Sequence, residues 1–239
     1  MHKHHKTYFN WSSGKDSALA LHYLLQDNTY SVEYLLTSVN AHHDRVSMHG
    51  LRRSLLKQQI DSIGIPSGTI ELPEQPTNDE YENRLNKKIN RLKADGFNYA
   101  AFGDIFLEDL RKYRERQLQA AGIKAIFPLW KKDTKQLINE FIDSGFKAVV
   151  VCINAALLDK SFAGRTIDKS FIRDLPAGID PCGENGEFHT FCFDGPVFKY
   201  PVKFSMGATV FKEYQNDKVK NGFWFCDLLP GSAVKEWLL

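Results

Sequence analysis

No two of the four cysteines, Cys152, Cys182, Cys192 and Cys226, stand in a C-x-x-C pair. Spacing therefore offers no zinc knuckle and no disulfide framework, and the expectation is reduced thiols in a cytoplasmic protein. No apolar run approaches the ~20 residues of a membrane span, and the polar start MHKHHK does not read as a signal peptide, so no membrane is expected. Charge of either sign is not in excess. The 31 Lys and Arg against 29 Asp and Glu leave a formal +2, which gives no strong signal for nucleic acid. Internal repeats and low-complexity tracts are absent. Two familiar phosphate loops are absent as well, the Walker A string G-x-x-x-x-G-K-[ST] and the dinucleotide string G-x-G-x-x-G. With 43% hydrophobic and 25% charged residues, the 239-residue chain is an ordinary globular one, long enough for one large domain or two modest ones.

What is present is a regular alternation. Strands are expected at Thr7–Trp11, Val32–Val39, Gly68–Leu72, Tyr99–Gly103 and Lys124–Phe127, with helices at Ser17–Gln26, Gly50–Ile63, Asn78–Ala94 and Leu110–Ala121. Short apolar strands separated by helices predict a parallel sheet covered on both faces, with ligands beyond the carboxyl ends of its strands. A helix at Asp133–Gly145 and a buried strand at Ala148–Ile153 follow. After about Ala163 the apolar runs become short and alternating, as in a smaller, partly antiparallel unit with strands at Phe188–Phe193, Val202–Phe204, Ala208–Phe211 and Gly222–Cys226. A boundary near Pro128–Lys131 divides the chain into 1–130 and 131–239. The fold class is α/β, a Rossmann-like parallel sheet with a smaller α+β C-terminal domain.

The first strand-to-helix turn reads SSGKDS, residues 12–17. A glycine-bearing turn that opens a helix presents free N–H groups and the positive end of the helix dipole, so it suits an anion. Lys15 adds a charge and Ser12, Ser13 and Ser17 add hydroxyls, a set that fits phosphate. A plain helix start with a serine cap is the bland alternative. Three later stretches carry chemistry. In AFGDI (101–105), Gly103 and Asp104 stand at a strand's carboxyl end, before a helix bearing Arg111, Arg114 and Glu115. In DPCGENGEFHTF (180–191), Glu184, Glu187, His189 and Thr190 crowd a turn at Asn185-Gly186, which suits proton transfer or an amine. In SVNAHHDRVSMHG (38–50), His49 closes a loop on the side of the first turn, whereas His42 and His43 read as solvent-exposed. His2, His4 and His5 read as a frayed terminus and not as a metal site.

SSGKDS resembles the PP-loop, S-G-G-K-D-S, of the N-type ATP pyrophosphatases, with Ser13 where that family usually has glycine. Together with AFGDI, PLW and CGENGEFHT in this order, it resembles the diphthine–ammonia ligase family from about Tyr8 to Phe198. That resemblance implies an AMP-forming carbon–nitrogen ligase of diphthamide biosynthesis. ATP would be held at Ser12, Ser13, Gly14, Lys15, Asp16 and Ser17, a carboxylate (diphthine on elongation factor 2) would be adenylated, and ammonia would displace AMP. It places magnesium on Asp16 and Asp104. Lys15, Asp104, Glu187 and His189 fall to the chemistry, and His49, Gly103, Glu184, Glu187 and Thr190 to the substrates. The readings that compete are a paralogue acting on a small-molecule carboxylate, a transfer-RNA-modifying PP-loop enzyme, and a nucleotide-binding protein without turnover. Assembly is left open, a homo-oligomer included.

Overall fold

A computed structural model describes residues 4–47, 49–216 and 219–231. The chain runs β1 (His5–Asn10), α1 (Lys15–Gln26), β2 (Tyr30–Asn40), β3 (Arg45–Val46), α2 (Arg53–Ile63), β4 (Ser67–Leu72), α3 (Asn78–Ala94), β5 (Tyr99–Ala101), α4 (Glu108–Gln119) and β6 (Lys124–Ile126). Then come α5 (Thr134–Asp143), β7 (Lys147–Asn154), a 3-10 turn at Lys160–Phe162, α6 (Lys169–Asp174), β8 (Phe188–Asp194), β9 (Phe204–Asn216) and β10 (Val219–Pro230).

Strands β4, β2, β1, β5 and β6 lie side by side and parallel, and β3 runs antiparallel against the end of β2. Counting only the parallel strands, the order is third, second, first, fourth, fifth, that of a Rossmann half, and the chain reverses direction of growth between β1 and β5. Side chains alternate across this sheet because successive Cβ atoms point to opposite faces. Phe9, Leu35 and Ala101 enter the core shared with α1 and α2, while their neighbours Tyr8, Leu36 and Ala100 enter the core formed with α3 and α4. The fold is the Rossmann-like α/β arrangement expected.

The second sheet, β8-β7-β10-β9, is antiparallel throughout. Its buried residues Val149, Ile153 and Phe191 join the same cluster as Phe9, Trp11 and Leu21, so the two sheets share one core. Leu137, Ile138 and Phe141 of α5 pack there too, on a helix whose N-cap Asp133 accepts from the Gln136 amide at 2.9 Å. The expected strand at Val202–Phe204 is absent as such, since Val202 and Lys203 lie outside the strand that begins at Phe204, and the one expected at Ala208–Phe211 is the middle of that longer strand. The 13-residue β9 is continuous because β10 pairs with it from Phe204↔Pro230 to Asn216↔Val219. Arg45 and Arg52 both grip Asp227 of β10, Arg52 through two bonds of 3.1 and 2.6 Å, which ties the hairpin to the loop before α2.

Candidate active site

The β1–α1 turn is held from several directions. Ser13 adopts φ 73°, the left-handed region, and its carbonyl accepts from the Cys192 amide at 2.9 Å and from Gln59 Nε2 at 3.0 Å. Gln59 is fully buried, and its Oε1 accepts from Trp11 Nε1 at 2.7 Å. A glutamine on the apolar stripe of α2 was the sequence signal for this support, and its role was not read. Gly14 caps α1 in extended backbone; a Cβ there would lie 3.0 Å from His49 Cε1 and 3.3 Å from the Thr190 carbonyl, so only glycine fits without displacement. Ser12 Oγ and Ser17 Oγ stand 2.7 Å apart.

Lys15 is nearly fully buried. Its backbone amide donates to Thr190 Oγ1 at 3.0 Å, and its Nζ donates to both Asp16 oxygens at 2.8 Å and to the Cys182 carbonyl. Burial alone would lower its pKa, but Asp16, Cys182 and Glu184 together outweigh burial and raise it. The first turn of the N-terminal half and the 180–191 stretch of the C-terminal half therefore touch directly.

The end of β5 closes from the other side. A Cβ on Gly103 would meet Ser17 N at 3.0 Å, so the β5 turn lies against the start of α1. Asp104 pairs with Arg114 through contacts of 3.0 and 2.6 Å, and the Arg114 guanidinium lies 4.4 Å over the Phe102 ring. Arg111 pairs instead with Glu115 at the surface, at 2.8 Å, so Glu115 is a solvated charge on the helix face. Glu184 Oε1 accepts from Ile105 N at 2.7 Å and Phe106 N at 3.4 Å. Burial pushes the Glu184 carboxyl up to about 7, and Asp16 and Asp104 add to the rise.

Glu187 is placed differently. Its side chain is buried, and Oε1 accepts from Asp180 N and Asn185 Nδ2, both at 3.1 Å, so it holds the turn together. His189 and His49 pack with ring centroids 4.9 Å apart. His49 Nδ1 lies 3.0 Å from the Thr190 carbonyl and must donate to it, which leaves Nε2 unprotonated. Burial holds His49 down to about 4 and His189 to about 3, so both rings are neutral at pH 7.

A cleft of about 1560 Å³ lies beyond the carboxyl ends of β1 and β5, lined among others by Lys15, Asp16, His49, Asp104, Glu184 and His189. Ser12, Ser17, Gly103 and Thr190 also line it, whereas Glu187 does not. The volume accommodates a nucleotide with an acceptor beside it. Asp16 and Asp104 both line the cleft; the Asp16 carboxylate is held by Lys15, and that of Asp104 faces Arg114 with its buried Oδ2 left without a hydrogen-bond partner. All four cysteines are buried and free. Among the described residues no helix is long and apolar enough to cross a membrane.

Comparison with known proteins bears on both halves. Residues 5–125 match the family description "Diphthamide synthase N-terminal domain" and residues 133–224 match "Diphthamide synthase C-terminal domain". The diphthine–ammonia ligase of Schizosaccharomyces pombe is 32% identical over 89 residues, 36% of this chain and 15% of that protein. Its human counterpart is 30% identical over 102 residues, 40% of this chain and 38% of that protein. For the Danio rerio protein the figures are 27% over 125 residues, 50% and 48%. The chain thus matches less than half the length of each of these relatives. A solved U34-tRNA thiolase from Methanococcus maripaludis is 16% identical, with 59% of each chain covered and a TM-score of 0.36. With one family description covering just over half the chain and its companion most of the rest, in the right order, the chain belongs to the diphthamide synthase family.

Proposed function

We propose that this chain is an ATP-dependent, AMP-forming ligase that adenylates a carboxylate and passes the acyl group to ammonia. The observation that carries the reading is the contact between residues 12–17 and 182–190 across one cleft, with Lys15 N bonded to Thr190 Oγ1 at 3.0 Å. A phosphate cradle and an amine-handling turn in one site are what the two half-reactions require. In the first, a carboxylate oxygen attacks the α-phosphorus and pyrophosphate leaves. The first-turn amides of α1 and the Lys15 ammonium would stabilise charge on the departing group. The Asp16 carboxylate and Cys182 carbonyl occupy Lys15 Nζ in the free protein, and the triphosphate would take their place.

In the second half-reaction ammonia attacks the acyl carbon and AMP leaves. The proton it sheds needs an acceptor with a pKa near the working pH. Glu184 supplies one at about 7, and its Ile105 and Phe106 donors fix the carboxyl at the cleft. This moves the proton-accepting role away from the residues first expected to have it. Glu187 is committed to holding the turn, and His189, held near 3, is a weak base. The neutral His49 and His189 rings are better suited to accept N–H bonds from the incoming ammonia. The relatives' name gives diphthine and ammonia as their substrates, so diphthine-bearing elongation factor 2 leads the acceptors to test, followed by small carboxylic acids.

Chromatography of the products formed from ATP, an ammonium salt and each candidate acid tests the reading. AMP and pyrophosphate in equal amounts, together with the amide, are expected. ADP with orthophosphate would overturn it. Glu184→Gln should lower turnover by roughly 10²-fold while leaving ATP affinity nearly intact.

A further inference from the structure

Away from the phosphate turn, at the rim of the same cleft, the chain brings together three side chains that the ligase reading does not use. His42 and His43 follow β2, and Glu74 follows β4, its parallel neighbour. His43 Nε2 lies 3.5 Å from Glu74 Oε1, and His42 Nε2 lies 3.8 Å from Glu74 Oε2. One donor atom from each of the three lies within 4.8 Å of the other two. Ligand atoms on a tetrahedral zinc ion stand about 3.3 Å apart, given bonds of about 2.0 Å, so the set needs only a small contraction to close on one ion.

The backbone beneath is fixed by the β2–β4 ladder, which runs to Asn40↔Leu72, and by one side chain. Asn40 Nδ2 donates to the carbonyls of Pro73 and Glu74 at 3.2 and 3.1 Å, and Asn40 Oδ1 accepts from His43 N at 3.0 Å. Ladder and clamp together hold the loops after β2 and β4 side by side, which keeps the three side chains near one another. His43 and Glu74 both line the cleft.

We propose that His42, His43 and Glu74 form a binding site for a zinc-class divalent metal ion at the cleft rim, with its remaining positions open to water or to an acidic group of a ligand in the cleft. Two imidazoles and one carboxylate favour zinc, nickel or copper over magnesium, which prefers oxygen ligands and retained waters. The site is independent of the ligase reading.

Titration calorimetry with zinc chloride on the full chain tests it, comparing wild type, the double variant His42→Ala/His43→Ala, Glu74→Gln and Asn40→Ala. The early histidines are common to all four proteins, so the comparison isolates this site. Wild type should take up one zinc equivalent that the double variant lacks. Glu74→Gln and Asn40→Ala should each bind that equivalent about tenfold more weakly or worse, the scale of losing a ligand or its support. A large excess of magnesium should not displace it. The three ligands are exposed, so circular dichroism should be the same for wild type and the ligand variants. Identical isotherms for wild type and the double variant, or displacement by magnesium, would overturn the proposal.

Discussion

Ser13 is the residue at which sequence and geometry meet most sharply. A serine stands where the PP-loop usually has glycine, and the backbone there has φ 73°. Its hydroxyl is buried and has no hydrogen-bond partner. Left-handed backbone and an orphaned hydroxyl both disfavour serine. Ser13→Gly should therefore stabilise the chain by about 1 kcal/mol in urea denaturation; a loss of stability would mean that the hydroxyl is satisfied in solution. The cleft's titratable groups set a second expectation. His49 and His189, held near 4 and 3, contribute stability that is present above about 6.5 and is lost as pH falls. Glu184, raised to about 7, contributes stability that is full below its unfolded value near 4.5 and is lost as pH rises through 7. Two histidines outweigh one carboxyl, so stability should climb from pH 5 to 6.5 and level off near 7. His189→Gln should flatten that climb, as followed by the urea midpoint at each pH. An unchanged slope would show that the ring is not held neutral by the fold.

At the scale of elements, the close approach of the β5 turn to the first turn of α1 is the feature most easily broken. Gly103→Ala would push a methyl against the Ser17 amide and the Asp16 carbonyl carbon, at 3.0 and 3.1 Å, and both are backbone. The expected cost is about 1–3 kcal/mol, with weaker ATP binding. A variant with wild-type stability and affinity would show that the two turns are not packed in solution. The parallel sheet and its helices were legible because strand and helix periods differ and because glycines mark the stops. Helix α3 was placed at its observed bounds, and its Thr77–Glu80 capping box explains why its start is sharp. Strand β9 is far longer than the expected Ala208–Phe211 because its extent is imposed by β10, a partner that local pattern does not reveal. In the site, the turn that opens α1 was legible from SSGKDS. The different placements of Glu184, on the amides of Ile105 and Phe106, and of Glu187, turned into its own loop, were not, because they depend on contacts that local pattern does not reveal.

For the whole molecule, one core and one cleft join the two family-matched halves, and the proposed reaction draws on residues of both. The Lys15 amide and Nζ reach Thr190 and Cys182, so the N-terminal turn and the 180–191 stretch are in direct contact. The central claim is that this shared cleft activates a carboxylate by adenylation. ATP–pyrophosphate exchange measures that step by itself, with ammonia omitted, by following labelled pyrophosphate into ATP as candidate acids are added. The account predicts exchange that requires the acid, is abolished by Lys15→Ala and survives in Glu184→Gln. Exchange that ignores the acid, or its complete absence with an acid that is nonetheless converted to the amide, would contradict it.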